Sequence, residues 1–208
     1  MAVIPMFPLG TTVLPGAGVP LQVFEPRYLQ LVHDLLASDE PPAFGTVLIE
    51  RGQEVGGDDD RNPVGTLIRV ADMRVTDDGR YLIAGVGIER IRVERWLPDD
   101  PYPRAEADVW PDEPSDAEPA VVAGLVAEAT AKAVALGDRV RALGHALARP
   151  DEGLDDDVSI ALFQLASRSP LGSADRYRIL SAPSVVERCV ALTQALDDAM
   201  AVIDFHRS

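Results

Sequence analysis

Residues 64–93 read VGTLIRVADMRVTDDGRYLIAGVGIERIRV. Two β-rich runs flank Asp77-Asp78-Gly79, and an Asp-Gly turn between such runs is a strong hairpin signal. The pattern predicts strands over 64–76 and 80–98. In the second run Ile91 and Val93 interleave with Arg90, Arg92 and Glu94, so one face is set toward a core and the other toward water. Gly85 and Gly87 form a Gly-x-Gly, which a dinucleotide site would need between a strand and a helix. Strand pattern continues on both sides, so these glycines are read as a bend or bulge.

Working outward, VIPMF (3–7), TTVLP (11–15), VPLQVF (19–24) and AFGTVLIE (43–50) are short apolar runs cut by Pro and Gly, each expected as a strand. YPRAEADVW (102–110) is expected as the last strand, and GGDDDRNP (56–63) as a polar loop. One helix is expected inside this half, over 26–37, where Leu29, Val32, Leu35 and Leu36 fall on one side. The joint Phe24-Glu25-Pro26-Arg27-Tyr28 lies where strand pattern gives way to helix pattern. Pro26 suits a first turn, since its missing N–H costs nothing there, and Glu25 meets the positive end of the helix dipole. Several short strands around one helix imply a small, partly closed β-barrel.

PDEPSDAEP (111–119) is acidic, proline-rich and without apolar periodicity. The expected organisation is a β-barrel domain over 1–111, a linker over 112–118 and a helical bundle over 119–208. In the last part Val122, Leu125, Ala129, Ala133, Leu136, Val140, Leu143 and Leu147 make one apolar stripe over 118–148, with a bend expected at Gly137 or Gly144. Further helices are expected over 154–167, 173–182 and 184–205. The last is opened by Ser184 with Glu187 at the capping-box spacing.

The 208 residues carry 34 acids and 19 bases, a formal charge of −15. The acidity is spread: residues 1–110 hold 18 acids and 10 bases, giving −8, and residues 111–208 hold 16 and 9, giving −7. Such a field repels a phosphate backbone, and no Lys/Arg run offsets it, so nucleic acid is not an expected partner. Residues 2–24 are uncharged, but four prolines and three glycines forbid a continuous helix there, so neither a membrane anchor nor a signal peptide is expected. The single cysteine, Cys189, forms no intrachain disulfide and is placed on a buried helix stripe. The expectation is a soluble, cytoplasmic protein of unspecified oligomeric state.

Chemistry-bearing motifs are few. The single lysine, Lys132, lies in a helical stripe, so no GxxxxGK[ST] phosphate loop exists and a Ser–Lys dyad has no motif around its base. His33, His145 and His206 stand outside HExxH, and there is no GxSxG. The triplets Asp58–Asp60 and Asp155–Asp157 lack EF-hand spacing and are read as a solvated loop and a helix start. No catalytic residue, metal ligand or cofactor is expected.

The combination FPL…VLPG…PLQVFEPRY, then FGTVLIE, VGT and DGRYL, resembles the Lon protease N-terminal (substrate-binding) domain family over residues 3–110, and most closely its free-standing bacterial members. The helices beyond resemble the extension found with that domain. The resemblance implies an α+β fold: a six-stranded PUA-like pseudo-barrel with one helix, followed by a helical bundle. It implies a non-enzymatic module that binds unfolded or partly folded polypeptide, an adaptor or chaperone-like factor working with a protease or chaperone. The AAA+ and peptidase regions of Lon have no counterpart in these residues. Phe24, Glu25, Arg27 and Tyr28 are the candidate peptide contacts. The expected surface is a groove between barrel and bundle, or a strand edge that a peptide could extend. The alternative reading is a small-molecule sensor or enzyme using a barrel pocket.

Overall fold

The structure is a computed structural model describing residues 2–51 and 60–206. Residues 56–59 of the loop expected over 56–63, Asp58 and Asp59 among them, lie outside the described residues. The chain is α+β and divides into two compact units, Met1–Pro111 and Asp112–Ser208.

The first unit holds β1 (Ala2–Pro5), β2 (Gly18–Val23), α1 (Pro26–Ala37), β3 (Ala43–Arg51), β4 (Asp60–Val75), β5 (Tyr81–Leu97) and β6 (Arg104–Val109). The strands form one antiparallel sheet in the order β1-β6-β5-β4-β3, with β2 paired to β5 off this path. Closure comes from the residues after β1. Phe7 N–H donates to Gly45 O at 2.8 Å, Leu9 N–H to Val47 O at 2.9 Å, and Ile49 N–H to Leu9 O at 2.8 Å. The chain that leaves β1 thus runs beside β3, and the sheet curls into a pseudo-barrel. Met6, Val47, Ile91, Val93, Ala105 and Ala107 fill one end. Val23, Tyr28, Leu31, Val32, Ile83 and Tyr102 seat α1 at the other. The backbones approach closely at Gly65, where an added Cβ would stand 2.1 Å from Thr46 O, so only glycine fits that crossing.

The 64–93 hairpin forms as expected: Thr76 N–H bonds Arg80 O at 2.9 Å, and Gly79 turns at φ 78°. The register slips between Leu67/Ile68 and Glu89/Gly87, leaving Ile88 as the extra residue of a bulge beside the two glycines.

Two expectations in this unit fail. TTVLP (11–15) is not a strand: Pro15 and Gly16 turn the chain, with Ala17 N–H on Leu14 O, while Val13 and Leu14 are buried as a plug. Residues 60–63, read as loop, are the start of β4. There Arg61 pairs with Ile49, and the Asn62 side chain donates to Leu48 O at 3.1 Å.

The second unit holds α2 (Pro119–Ala142), α3 (Val158–Arg168), α4 (Ser173–Leu180) and α5 (Val185–His206). The long apolar stripe is cut short. α2 ends at Ala142, and Gly144 takes φ 89°, so Leu143 and Leu147 fall outside the helix, and Gly144 marks a stop instead of a bend. Ala129, Ala133 and Leu136 do face inward. α2 is long and apolar enough to cross a membrane by length and composition alone; here it lies along α5, with Lys132 Nζ 2.6 Å from Asp197 and 3.2 Å from Glu128. Asp157 caps α3 by accepting from Ser159 and Ile160 N–H at 2.8 and 3.3 Å, so this acid cluster serves its own backbone. Cys189 is buried among the helices, and burial pushes its thiol up to about 11.

Candidate functional site

The joint expected as a contact site begins with the local geometry of α1. Glu25 occupies the cap position, but its side chain makes no capping bond. Instead it accepts from Arg27 Nε at 3.2 Å, and both side chains keep under a fifth of their surface exposed. Pro26 begins the helix, as its fixed φ and missing N–H favour. The Arg27 guanidinium lies 4.5 Å above the Tyr28 ring, which stacks on Phe7 at 4.0 Å and 19°. Tyr28 is 2% exposed, so it is a core residue at the base of the joint instead of a free contact. Phe24 is 49% exposed, with Arg80 5.8 Å from its ring.

A cavity of about 190 Å³ opens here, lined by Phe7, Leu9, the β2 stretch from Pro20, Phe24, Glu25 and Tyr28. Three of the four sequence candidates, Phe24, Glu25 and Tyr28, thus meet at one concavity, with Arg27 bonded to its rim.

A second surface lies next to it. β5 runs between β2 and β4, with Gln22 opposite Leu82 opposite Arg74, and Pro20 opposite Ala84 opposite Asp72. Side chains alternate across a strand. The odd-numbered Leu21, Val23, Ile83 and Met73 therefore face the core with α1, while the six even-numbered residues are all exposed. On that outer face a groove of about 440 Å³ is lined mostly by apolar atoms. Its middle is low because Ala84 is small. Leu82 stands 45% exposed between the stems of Gln22 and Arg74, and the one charged pair, Asp72 with Arg74 Nε at 3.3 Å, lies along the β4 side. Phe24 continues the Pro20, Gln22 parity onto the same face. A single signal pointed there, the exposed position of Leu82 in the pairing register, and the unbroken apolar run YLIAGV hides it.

Other polar groups of this unit are tied to the framework. Tyr102 O–H donates to Asp34 at 2.7 Å; burial first, then the Asp34 carboxylate, push its phenol up to about 12. Arg61 lies 4.6 Å from the Trp96 ring and bonds Asp99. Trp110 sits between the Arg90 and Arg92 guanidiniums at 4.2 and 3.8 Å. Among the described residues no group of three or more His, Cys, Asp or Glu could hold a metal ion. The groove over β2, β5 and β4 is thus lined mostly by apolar atoms, while the adjoining cavity presents polar and apolar atoms alike.

The profile of the "ATP-dependent protease La (LON) substrate-binding domain" family matches residues 3–198. The chain belongs to that family. It is 23% identical over 206 residues to Lon protease 1 of Herpetosiphon aurantiacus, covering 98% of this chain and 25% of that protein. It is 28% identical over 100 residues to the Lon protease of Desulfosudis oleivorans, covering 48% of this chain and 12% of that one. These residues thus span a quarter or less of the curated relatives they match. Among solved structures, the Lon N-terminal domain protein from Xanthomonas campestris superposes with a TM-score of 0.66 at 28% identity, covering 93% of this chain and 98% of that one. The N-terminal domain of the Mycobacterium avium complex Lon protease gives the same TM-score at 18% identity, covering 95% and 99%, and supports the fold. The α+β class implied by the sequence resemblance is the one observed.

Proposed function

We propose that this chain binds unfolded or partly folded polypeptide without catalysing a reaction on it, and serves as an adaptor or chaperone-like factor. The observation that carries this reading is the exposed apolar groove over the β2–β5–β4 face. Exposed Leu82, with Pro20 and Ala84, makes an apolar patch where an exposed sheet face would ordinarily place polar side chains, and exposed Phe24 lines the adjoining cavity. A client side chain laid on it removes apolar surface from both partners, worth about 25 cal/mol per Å² before ordering costs are subtracted. The −15 charge adds long-range attraction for basic clients and repels nucleic acid.

Phe24 lines the adjoining cavity. Glu25 and Arg27 form its charged rim, and Tyr28 holds its floor. The groove gathers no convergent set of buried polar groups, which a small-molecule site would need for orientation, so the sensor or enzyme reading gains nothing from it.

The test is a fluorescence-anisotropy titration at about 0.3 M salt, which screens the acidity the probe shares with the chain, of a permanently unfolded protein, reduced and carboxymethylated lactalbumin, against the wild-type chain and Leu82→Asp. Leu82 is 45% exposed, and circular dichroism checks that the variant folds. Saturable micromolar binding that weakens by about tenfold in Leu82→Asp is expected, from burying a charge in an apolar contact. Equal binding by both proteins, or none by either up to high micromolar concentration, overturns the proposal.

A further inference from the structure

We infer that the outer edge of β2 takes up an extended polypeptide segment as an added strand. This rests on the polypeptide-binding reading above and specifies its mode: main-chain hydrogen bonds along β2, beside the side-chain contacts of the groove.

Hydrogen-bond parity sets which main-chain groups of β2 face outward. Among the described strands β2 pairs only with β5. Just before β2, Gly87 N–H donates to Ala17 O at 2.9 Å. In an antiparallel ladder bonded pairs recur every second residue. Residues 19, 21 and 23 therefore turn their main-chain groups toward 85, 83 and 81. Gly18, Pro20 and Gln22 turn theirs the other way, and all three are exposed. Pro20 agrees with this parity, since it has no N–H to give and proline is tolerated in a sheet where that side faces outward. The edge offers the N–H of Gly18 and Gln22 and the C=O of Gly18, Pro20 and Gln22.

Two further observations say what fits. The cavity of about 190 Å³ borders β2 from Pro20 to Phe24, with Phe7, Leu9 and Tyr28 in its wall. A strand laid beside β2 at about 4.8 Å would direct every second side chain to one face of the sheet, and those on the inner side would enter this cavity. Edges are ordinarily blunted by charge, yet Gly18–Val23 (GVPLQV) carries none, and Pro20 interrupts only one donor. The nearest charge is Glu25 at the cavity's rim, and the chain as a whole is strongly acidic. The occupant is therefore an extended, proline-free polypeptide segment with apolar side chains at alternate positions and basic ones between them.

The probe is a dye-labelled ten-residue peptide of alternating valine and lysine, titrated by anisotropy. Two variants carry backbone N-methyl groups, one on the valine amides and one on the lysine amides, with side chains and charge unchanged. In an added strand only one set of amides faces β2. Methylating that set is expected to weaken binding about tenfold or more, through the lost hydrogen bonds, while the other set stays within about twofold. Gln22→Pro, which removes an outward N–H, weakens binding and Gln22→Ala does not. Circular dichroism checks that both fold.

Equal effects of the two methylation patterns, or of the two Gln22 variants, overturn strand addition. If unfolded lactalbumin still binds in a Leu82-dependent way, the groove reading survives that failure. A chain that dimerises through β2 without peptide, seen as a Gln22→Pro-sensitive dimer in sedimentation, also overturns the inference. Loss of peptide and lactalbumin binding together fells both readings.

Discussion

At the start of α5, Ser184 Oγ accepts from Glu187 N–H at 3.3 Å and donates to the Glu187 carboxylate at 2.9 Å. One turn on, Arg188 is fully buried. It holds the Asp112 carboxylate with both terminal nitrogens, bonds Ser159 Oγ at 2.7 Å and lies 3.9 Å above the Phe163 ring. At the start of α1 the same residue types, an acid and an arginine, meet differently. Glu25 leaves the helix end without a side-chain cap, Arg27 stays partly exposed, and a cavity lies alongside. Both starts satisfy local charge. The α5 start spends its arginine on holding the N-terminal arm of the helical unit, where Glu113 N–H also bonds Pro183 O. The α1 start keeps its arginine at a surface. The lesson is that an arginine's burial and the number of its partners, more than its presence beside an acid, separate a structural joint from a recognition rim.

This contrast predicts two classes of variant. The largest effect is expected at Arg188→Ala, which leaves Asp112 without its partner and should cost about 3–5 kcal/mol of stability in urea denaturation. The double replacement Arg188→Met with Asp112→Leu should recover much of that loss, because an apolar pair of similar volume avoids desolvating two charges. A variant as stable as the wild type would erase the contrast. Gly65→Ala should follow at about 3 kcal/mol, since its methyl would stand against the Thr46 carbonyl, which is backbone and cannot swing away.

Tyr102 comes next. Its folded phenol is raised from 10.0 to about 12, so its contribution is fully present below pH 10 and is lost as pH rises through 12. Tyr102→Phe should remove that alkaline step, of order 2 kcal/mol at most, from the stability profile. Ser184→Ala should cost about 1 kcal/mol through the lost cap. The smallest stability change is expected at Arg27→Ala, about 0.5 kcal/mol. Arg27→Ala should change client affinity while leaving thermal denaturation nearly unmoved, and Ser184→Ala should do the reverse.

Much of the framework was legible because it rests on local chemistry. Asp77-Asp78-Gly79 made its hairpin, Pro26 opened α1, and Ser184 with Glu187 capped α5 at the expected spacing. TTVLP misled because β-branched residues beside Pro and Gly suit a buried plug as well as a strand, and only barrel closure by residues 6–9 decides between them. The strand start at 60–63 was hidden by turn-forming Asn62 and Pro63, which tertiary pairing with β3 overrides. The candidate site was half legible. FEPRY marked the cavity, because an abrupt change of periodicity is visible in one dimension. The groove depends on which residues of YLIAGV face outward, and an apolar run without alternation carries no such signal.

In this reading, client polypeptide engages the surfaces on either side of β2. Hydrogen–deuterium exchange of the full chain, with and without saturating unfolded lactalbumin, tests it directly. Slowed exchange is expected in residues 18–24 above all, with the Gln22 amide among the most protected, and smaller effects over 72–74 and 82–84. Protection confined to the helices of the second unit, with β2 unchanged, would contradict it.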